Sequence, residues 1–315
     1  MVDYKAIQAL KEVIEQQSFE LAADKLFISQ SAVSQRIKSL ETKFGAPVLI
    51  RVLPYKVTKL GQDLLSHLAK VELLESGLLK EKKLIENTKL QISIAINQDS
   101  LDTWFLDTLD NIDTSNISRF NIKTFDQEMT HKSLQNGEVL SCISTNDKVS
   151  HGCLVEKLGE IDYLLVCSNY FYDKYFKKIK RNSKKWINAL KQAPSLLFNQ
   201  YDQLNARFME KFYGFQVDID NCHIIPSVKG FKQMCLQSKG YALLPKSDII
   251  KELKNNELIV LDNECIWNMK LYFHYWDLPD DTYRAIITKL ISESKNQLQQ
   301  INDYFDISNI VYYAD

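Results

Sequence analysis

The sequence predicts an α/β protein preceded by a small all-α domain, and three observations predict it. Through the first 80 residues apolar side chains recur at helical spacing. From Leu90 onward short alternating or apolar runs take turns with helical segments, the pattern of α/β units. At 315 residues, 45% hydrophobic and 25% charged, the chain has the composition of an ordinary globular protein and length for two or three domains.

The first stretch, YKAIQALKEVIEQQS, sets Ile7, Leu10 and Ile14 three and four residues apart, an amphipathic helix. Ser18 offers an N-cap to a short second helix, FELAADKLF, whose Ala22 and Ala23 let another helix approach closely. After a tight turn at Phe27 and Ile28, Ser29 can cap a third helix whose stripe Val33, Ile37, Leu40 and Phe44 anchors it to the first two. The opposite face carries Gln30, Ser31, Ser34, Gln35 and Lys38, hydrogen-bonding residues with almost no acid among them.

A polar outer face is the rule on a surface helix, so this helix alone would read as solvated. Three features change that reading. A short helix, a tight turn and a capped helix form the helix-turn-helix spacing, which sets the second helix of the pair in a major groove. Gln and Ser pair with base edges, and Lys or Arg with guanine or phosphate. Arg51 to Thr58 then follows as a short basic hairpin placed as a wing. Between residues 26 and 60 six cations face one acid although the whole chain carries −1, and local charge is what a surface presents at physiological salt. Residues 1–60 are therefore expected to bind double-stranded DNA. Gln30, Ser34 and Gln35 would meet base edges, Arg36, Lys38, Arg51 and Lys56 phosphates, with Ser29 and Ser31 on the same surface.

Thr58 can cap a long helix in which Leu60, Leu64, Leu68, Val71, Leu74 and Leu78 form one stripe. Such a helix could belong to the first domain's core. A long seam with nothing nearby to cover it favours pairing with a second copy, so residues 58–88 are expected to be a dimerising linker helix of a homodimer or homotetramer reading paired half-sites.

Residues 89–300 are expected to form a regulatory domain of two α/β subdomains with largely parallel sheets, from LQISIAIN to MKLYFHYW, and an amphipathic helix from about Asp280 to Gln300. In open α/β sheets ligands bind at the carboxyl ends of strands, with anions on helix N-termini. NQDSLDTW fits: a strand ends at Asn97 and Ser100 caps the next helix, leaving backbone N–H groups for a carboxylate. Asp99, Asp126 and Asp202 follow strand-like runs and would meet a cationic group, and Ser144 and Ser227 hold strand-end or helix-start positions. The plain alternative makes Asp99 and Asp202 helix caps.

An enzymatic reading finds little support. No two glycines lie closer than Gly152 and Gly159, which excludes G-x-G-x-x-G and phosphate loops. His67, His131, His151, His223 and His274 show no metal-ligand spacing, and no G-x-S-x-G elbow occurs. No cofactor and no metal are expected. Six scattered cysteines without a C-x-x-C pair read as reduced thiols. No apolar window is long enough for a membrane span, and the charged N-terminus is unlike a signal peptide, so a cytoplasmic location is expected.

The run SFELAADKLFISQSAVSQRIKSLETKFGAPVLIR resembles the DNA-binding domain of LysR-type transcriptional regulators, in its Ala-Ala pair, its Ser-Gln opening of the third helix and its Leu-Glu…Phe-Gly-x-Pro…Arg exit. VELLE, INQDSLDTW, NGEV, KLGEIDYLLVCS and KYF resemble the lysine- and arginine-responsive branch of that family, so the likeness extends to about residue 295. The resemblance implies a winged helix-turn-helix, a linker helix and an effector domain whose two α/β subdomains are of periplasmic-binding-protein-like type. It also implies a small-molecule effector that is a basic amino acid, control of basic amino-acid export or metabolism genes, and RNA polymerase as a further partner; the residues themselves leave open a different small-molecule effector, or none. This chain departs from the pattern at Ser31, where many members carry Pro. It departs again at Asn199, an effector-side position where the branch has Asp, and at Gln200, where it has His.

Overall fold

The computed structural model of the chain describes residues 2–81, 89–125, 127–200 and 202–303. Asp126, the end of the expected linker and the aromatic C-terminal run lie outside them. The N-terminal helices are α1 (Tyr4–Gln16), α2 (Phe19–Leu26) and α3 (Gln30–Phe44). Each start is closed by a side chain: Asp3 accepts from Ala6 N–H, Ser18 from Leu21 N–H and Ser29 from Ala32 N–H. Such a cap is worth about 1 kcal/mol, because it satisfies a backbone donor the helix cannot. α2 stops at Phe27, whose left-handed backbone (φ 55) lets its N–H reach Ala23 and Asp24 carbonyls and turns the chain toward α3. Ile7, Leu10, Val13, Ala22, Val33 and Ile37 are fully buried together. The expected α3 stripe ends at Leu40, since Phe44, in the last turn before left-handed Gly45, stays exposed.

β1 (Leu49–Ile50) and β2 (Lys56–Val57) pair antiparallel as the wing. α4 (Lys59–Glu81) follows, with Thr58 Oγ1 accepting from Gly61 N–H. Its stripe is not one seam. Leu64 and Leu68 are buried in the core of the first three helices, with Leu60 and Leu65 packed against it, whereas Val71 is half-buried and Leu74 exposed. Leu78 lies outside the described side chains. Three helices of this size cannot cover their own apolar surface, and the first half of α4 completes the core. Another face of α4 meets later residues: Lys59 Nζ donates to Asn136 Oδ1 at 3.0 Å, and Lys70 Nζ stands 3.5 Å from the Trp276 ring centroid. Ser66 presses on Gly137, where its side chain leaves no room for a Cβ.

The chain forms two compact units, the first from Met1–Asn97, Ile112–Glu156 and Phe273–Lys289, the second from Gln98–Asn111, Lys157–Tyr272 and Leu290–Asp315. In the first, β3 (Leu90–Ile96) pairs in parallel with β4 (Ile117–Thr124) and β5 (Ser141–Ser144), as expected of crossover units, with α7 (Gln127–Gln135) between β4 and β5 in sequence. The second opens with one helical run, α5 (Gln98–Ser100), a π turn (Leu101–Phe105) and α6 (Leu106–Asp110).

Its main strand is β6 (Cys153–Ser168), sixteen residues long. After it come α8 (Asn169–Tyr175), α9 (Lys184–Gln192), β7 (Ser195–Leu197), α10 (Gln203–Tyr213) and β8 (Cys222–Ile224). The unit continues with α11 (Val228–Leu236), β9 (Ala242–Pro245), α12 (Lys246–Lys254), β10 (Leu258–Val260) and the first part of β11 (Ile266–Trp276), whose residues from Phe273 on count with the first unit, and α13 (Asp281–Asp303) ends the described chain. Here the expectation of largely parallel sheets is corrected: β6 runs antiparallel to both β9 and β10. An apolar run looks the same for either strand direction, so the sequence could not set it, whereas β7 and β8 do pair in parallel.

Candidate DNA-reading face and effector site

On α3 the buried side chains Val33, Ile37 and Leu40 fix the helix, and the polar residues between them face out. Ser29, Gln30, Ser31, Gln35 and Lys38 are exposed, while Ser34 and Arg36 are half-buried. Ser29 serves as the cap and its Oγ lies 2.9 Å from that of Ser31, so these two shape the helix start. No acid stands in the first turn, which leaves the positive end of the helix dipole uncancelled. Lys56 is exposed on the wing. Arg51, expected to be a plain phosphate contact, is tied at 3.2 Å to Glu41 and sits over the Phe19 ring. That pairing commits part of its charge and makes it a brace between wing and α3. Two groups went unread in the sequence: Phe27 is 95% exposed at the turn, and Val52 and Leu53 are exposed at the wing tip.

The expected effector residues divide between the units. Asn97 and Ser144 belong to the first, where Asn97 is buried past the end of β3 and Ser144 Oγ accepts from Asn146 N–H. Asp99, Ser100, Asn199, Asp202 and Ser227 belong to the second. Ser100 is not the cap it was expected to be. β3 runs into the helix almost without a loop, so the helix starts at Gln98 and Ser100 falls inside its first turn. Its Oγ is buried without a hydrogen-bond partner. Asp202 does cap α10, accepting from Asn205 N–H, and also takes Phe198 N–H at 3.1 Å, so it closes the turn that holds the Asn199 carbonyl. Ser227 is exposed and caps α11 through Gly230 N–H.

Asp99 caps nothing. Its Oδ2 accepts a 2.7 Å hydrogen bond from the buried Tyr163 hydroxyl on β6. Burial pushes its carboxyl up to about 6, the Tyr163 hydrogen bond opposes that, and the carboxylates of Asp202, Asp102 and Asp248 push it further up. Lys232 bridges Asp248 (3.0 Å) and Glu252 (3.3 Å). Asp248 Oδ2 and Glu252 Oε2 remain buried without hydrogen-bond partners. The carboxyls of Asp99, Asp102, Asp202 and Asp248 thus lie close enough to bear on one another, a setting that a bound cation would suit. Tyr163 escaped the sequence reading inside the aliphatic run DYLLVCS, although a tyrosine buried among aliphatics usually has a partner for its hydroxyl. Among the described residues no group of three or more His, Cys, Asp and Glu could hold a metal ion, and no helix is long and apolar enough to cross a membrane.

A helix-turn-helix with a wing, followed by a long helix and α/β segments, is the build of a DNA-binding regulator. Residues 4–62 match the family described as bacterial regulatory helix-turn-helix protein, lysR family. The ArgP transcriptional regulator of Proteus mirabilis is 38% identical over 298 residues, 95% of this chain and 98% of that protein. ArgP from Mycobacterium tuberculosis superposes with a TM-score of 0.79 at 28% identity, over 93% of this chain and 98% of that one. LysG of Corynebacterium glutamicum, solved with arginine bound as effector, gives a TM-score of 0.69 at 27% identity over 94% and 99%. The chain belongs to the LysR-type transcriptional regulators, in the ArgP/LysG branch. Its relatives are regulators, not enzymes.

Proposed function

We propose that this regulator senses a basic amino acid, arginine or lysine, in the cytoplasm and controls genes of basic amino-acid export or metabolism. The observation that carries the effector is the carboxyl group of Asp99, held by Tyr163 among other acids, with the unpartnered Ser100 hydroxyl on the next residue. A guanidinium or ammonium would neutralise these acids, and the relative solved with arginine supports that class of ligand. Gln30, Ser34 and Gln35 read bases, Lys38 and Lys56 hold phosphates, and, within the second unit, Asn199, Asp202 and Ser227 shape the effector's surroundings. The test is a melting assay against a panel of amino acids. Arginine or lysine should raise the melting temperature where glutamate and leucine do not, and no shift from either at millimolar concentration sinks the reading.

The second half of α4 serves assembly in the same proposal: Val71 and Leu74, which the monomer leaves partly or largely exposed, pair with a second copy. Val71→Glu should halve the mass seen by light scattering and weaken operator binding, because the interface would have to desolvate a carboxylate. Unchanged mass and affinity would remove the stripe from the interface.

A further inference from the structure

The whole chain carries 39 cations and 40 acids, yet residues 174–201 hold eight cations and not one acid. Seven of them, Lys174, Lys177, Lys178, Lys180, Arg181, Lys184 and Lys185, fall within twelve residues, a denser cluster than the DNA-reading domain itself carries. All but Arg181, which is half-buried, are exposed. The segment is well anchored. Phe176 and Trp186 are fully buried with ring centroids 4.8 Å apart, Ile179 N–H reaches the Phe176 carbonyl, and Ser183 Oγ donates to the Lys180 carbonyl at 2.6 Å.

This surface works against its own stability. Lys184 and Lys185 occupy the first turn of α9, where the helix dipole is already positive and no acid is present. Lys178 and Asn182 hold left-handed backbones, φ 63 and 57. Lys177 pairs with Asp173, but among the described residues no salt bridge joins Lys178, Lys180, Lys184 or Lys185 to an acid. A group of like charges kept at such cost fits a polyanion.

We propose that residues 174–185 form a second DNA contact, a sequence-independent one that meets the phosphates of duplex flanking the operator. Six of the seven cations are lysines, compact point charges that suit phosphates, whereas recognition of protein carboxylates favours the planar fork of arginine. A protein interface would also need a protruding apolar anchor at its centre, and between 174 and 185 Phe176 is turned inward while Tyr175, covered by Lys174, and Ile179 are half-buried. Because α3 already holds the chain on the same polymer, even weak phosphate contacts gain from a high effective concentration. The proposal goes beyond the effector reading and depends only on the chain being a DNA-binding regulator.

The test uses the full chain and two duplexes, a minimal operator and the same operator with long flanks. Lys178→Glu/Lys180→Glu should weaken binding to the long duplex roughly tenfold at low salt and make its salt slope shallower by about 0.9 per lost phosphate contact. Binding to the minimal operator should stay within about twofold of the parent, and the melting temperature should hold or rise as repulsion is relieved. Lys229→Glu/Lys239→Glu, with the same change in net charge on other exposed positions of the unit, should behave like the parent. Equal binding of parent and variant to the long duplex overturns the proposal, as does equal loss in the control variant. Unchanged DNA binding with loss of polymerase-dependent transcription would overturn it in favour of an acidic protein partner.

Discussion

Between Ser29 and Lys38 one capped helix presents every candidate base contact, and the residues that hold it in place alternate with those candidates. At the candidate effector site, Asp99 and Tyr163 are 64 positions apart in sequence and meet through one 2.7 Å hydrogen bond. The first region is a local object: a cap, a turn and a period of 3.6 place its side chains, and the core beneath only has to hold the helix still. The second exists only after a strand and a helix from distant stretches have packed. A local device should tolerate damage to the other unit and fail through its own core, whereas an assembled one should fail at any of its few convergent groups.

The largest effect should come from the core under α3. Ile37→Ala empties a fully buried position and should cost about 2–5 kcal/mol, abolishing operator binding in a gel shift. Arginine-induced stabilisation should survive in the same variant, seen as a remaining ligand-dependent transition in calorimetry. Loss of both responses would show that the two regions are not separable.

Asp99→Asn comes next. It should remove most of the stabilisation by arginine, which at a hundredfold excess over Kd amounts to about 2.7 kcal/mol, while leaving operator affinity in the absence of effector intact. A normal thermal shift in this variant would take the cation away from Asp99.

Within the DNA face, Gln35→Ala should lose roughly 1–3 kcal/mol of discrimination between operator variants. Lys56→Ala should weaken all duplexes alike and lower the salt slope by about 0.9. The same profile from both variants would collapse the division into reading and positioning residues.

The smallest effect is a pH dependence. With its folded carboxyl raised to about 6 from 3.8, chiefly by burial, Asp99 keeps a proton that the unfolded chain gives up. Its contribution to stability without effector is therefore lost as pH rises from 3.8 to about 6. A cation binds the ionised form, so arginine affinity should be level above pH 6 and fall about tenfold for each unit below it. Tyr163→Phe removes the hydrogen bond that opposes the rise and should move that midpoint upward, read by calorimetric titration at several pH values. An arginine affinity independent of pH between 5 and 7.5 would detach binding from the Asp99 charge.

Periodicity and capping in the sequence determined the three N-terminal helices, the turn between α2 and α3, the wing and the outward face of α3, because a helix start and an apolar stripe are decided within one or two turns of chain. The strands of both units were legible for the same reason: DYLLVCS, YALLP and ELIVL are β6, β9 and β10 seen from within. Their directions were not, since pairing joins residues such as Leu165 and Leu243 that no local pattern relates. Nor could the leucine stripe of α4 say where its cover changes, because Leu64 and Leu68 meet a core from the same chain whereas Leu74 does not. Ser100 looked like a cap until the helix began at Gln98, and Asp99 and Asp202 looked alike until packing gave one to backbone N–H groups and the other to Tyr163. A side chain's type limits what it can bond. Which partner it meets, and so which charge is left wanting, is decided only when distant segments exclude water around it.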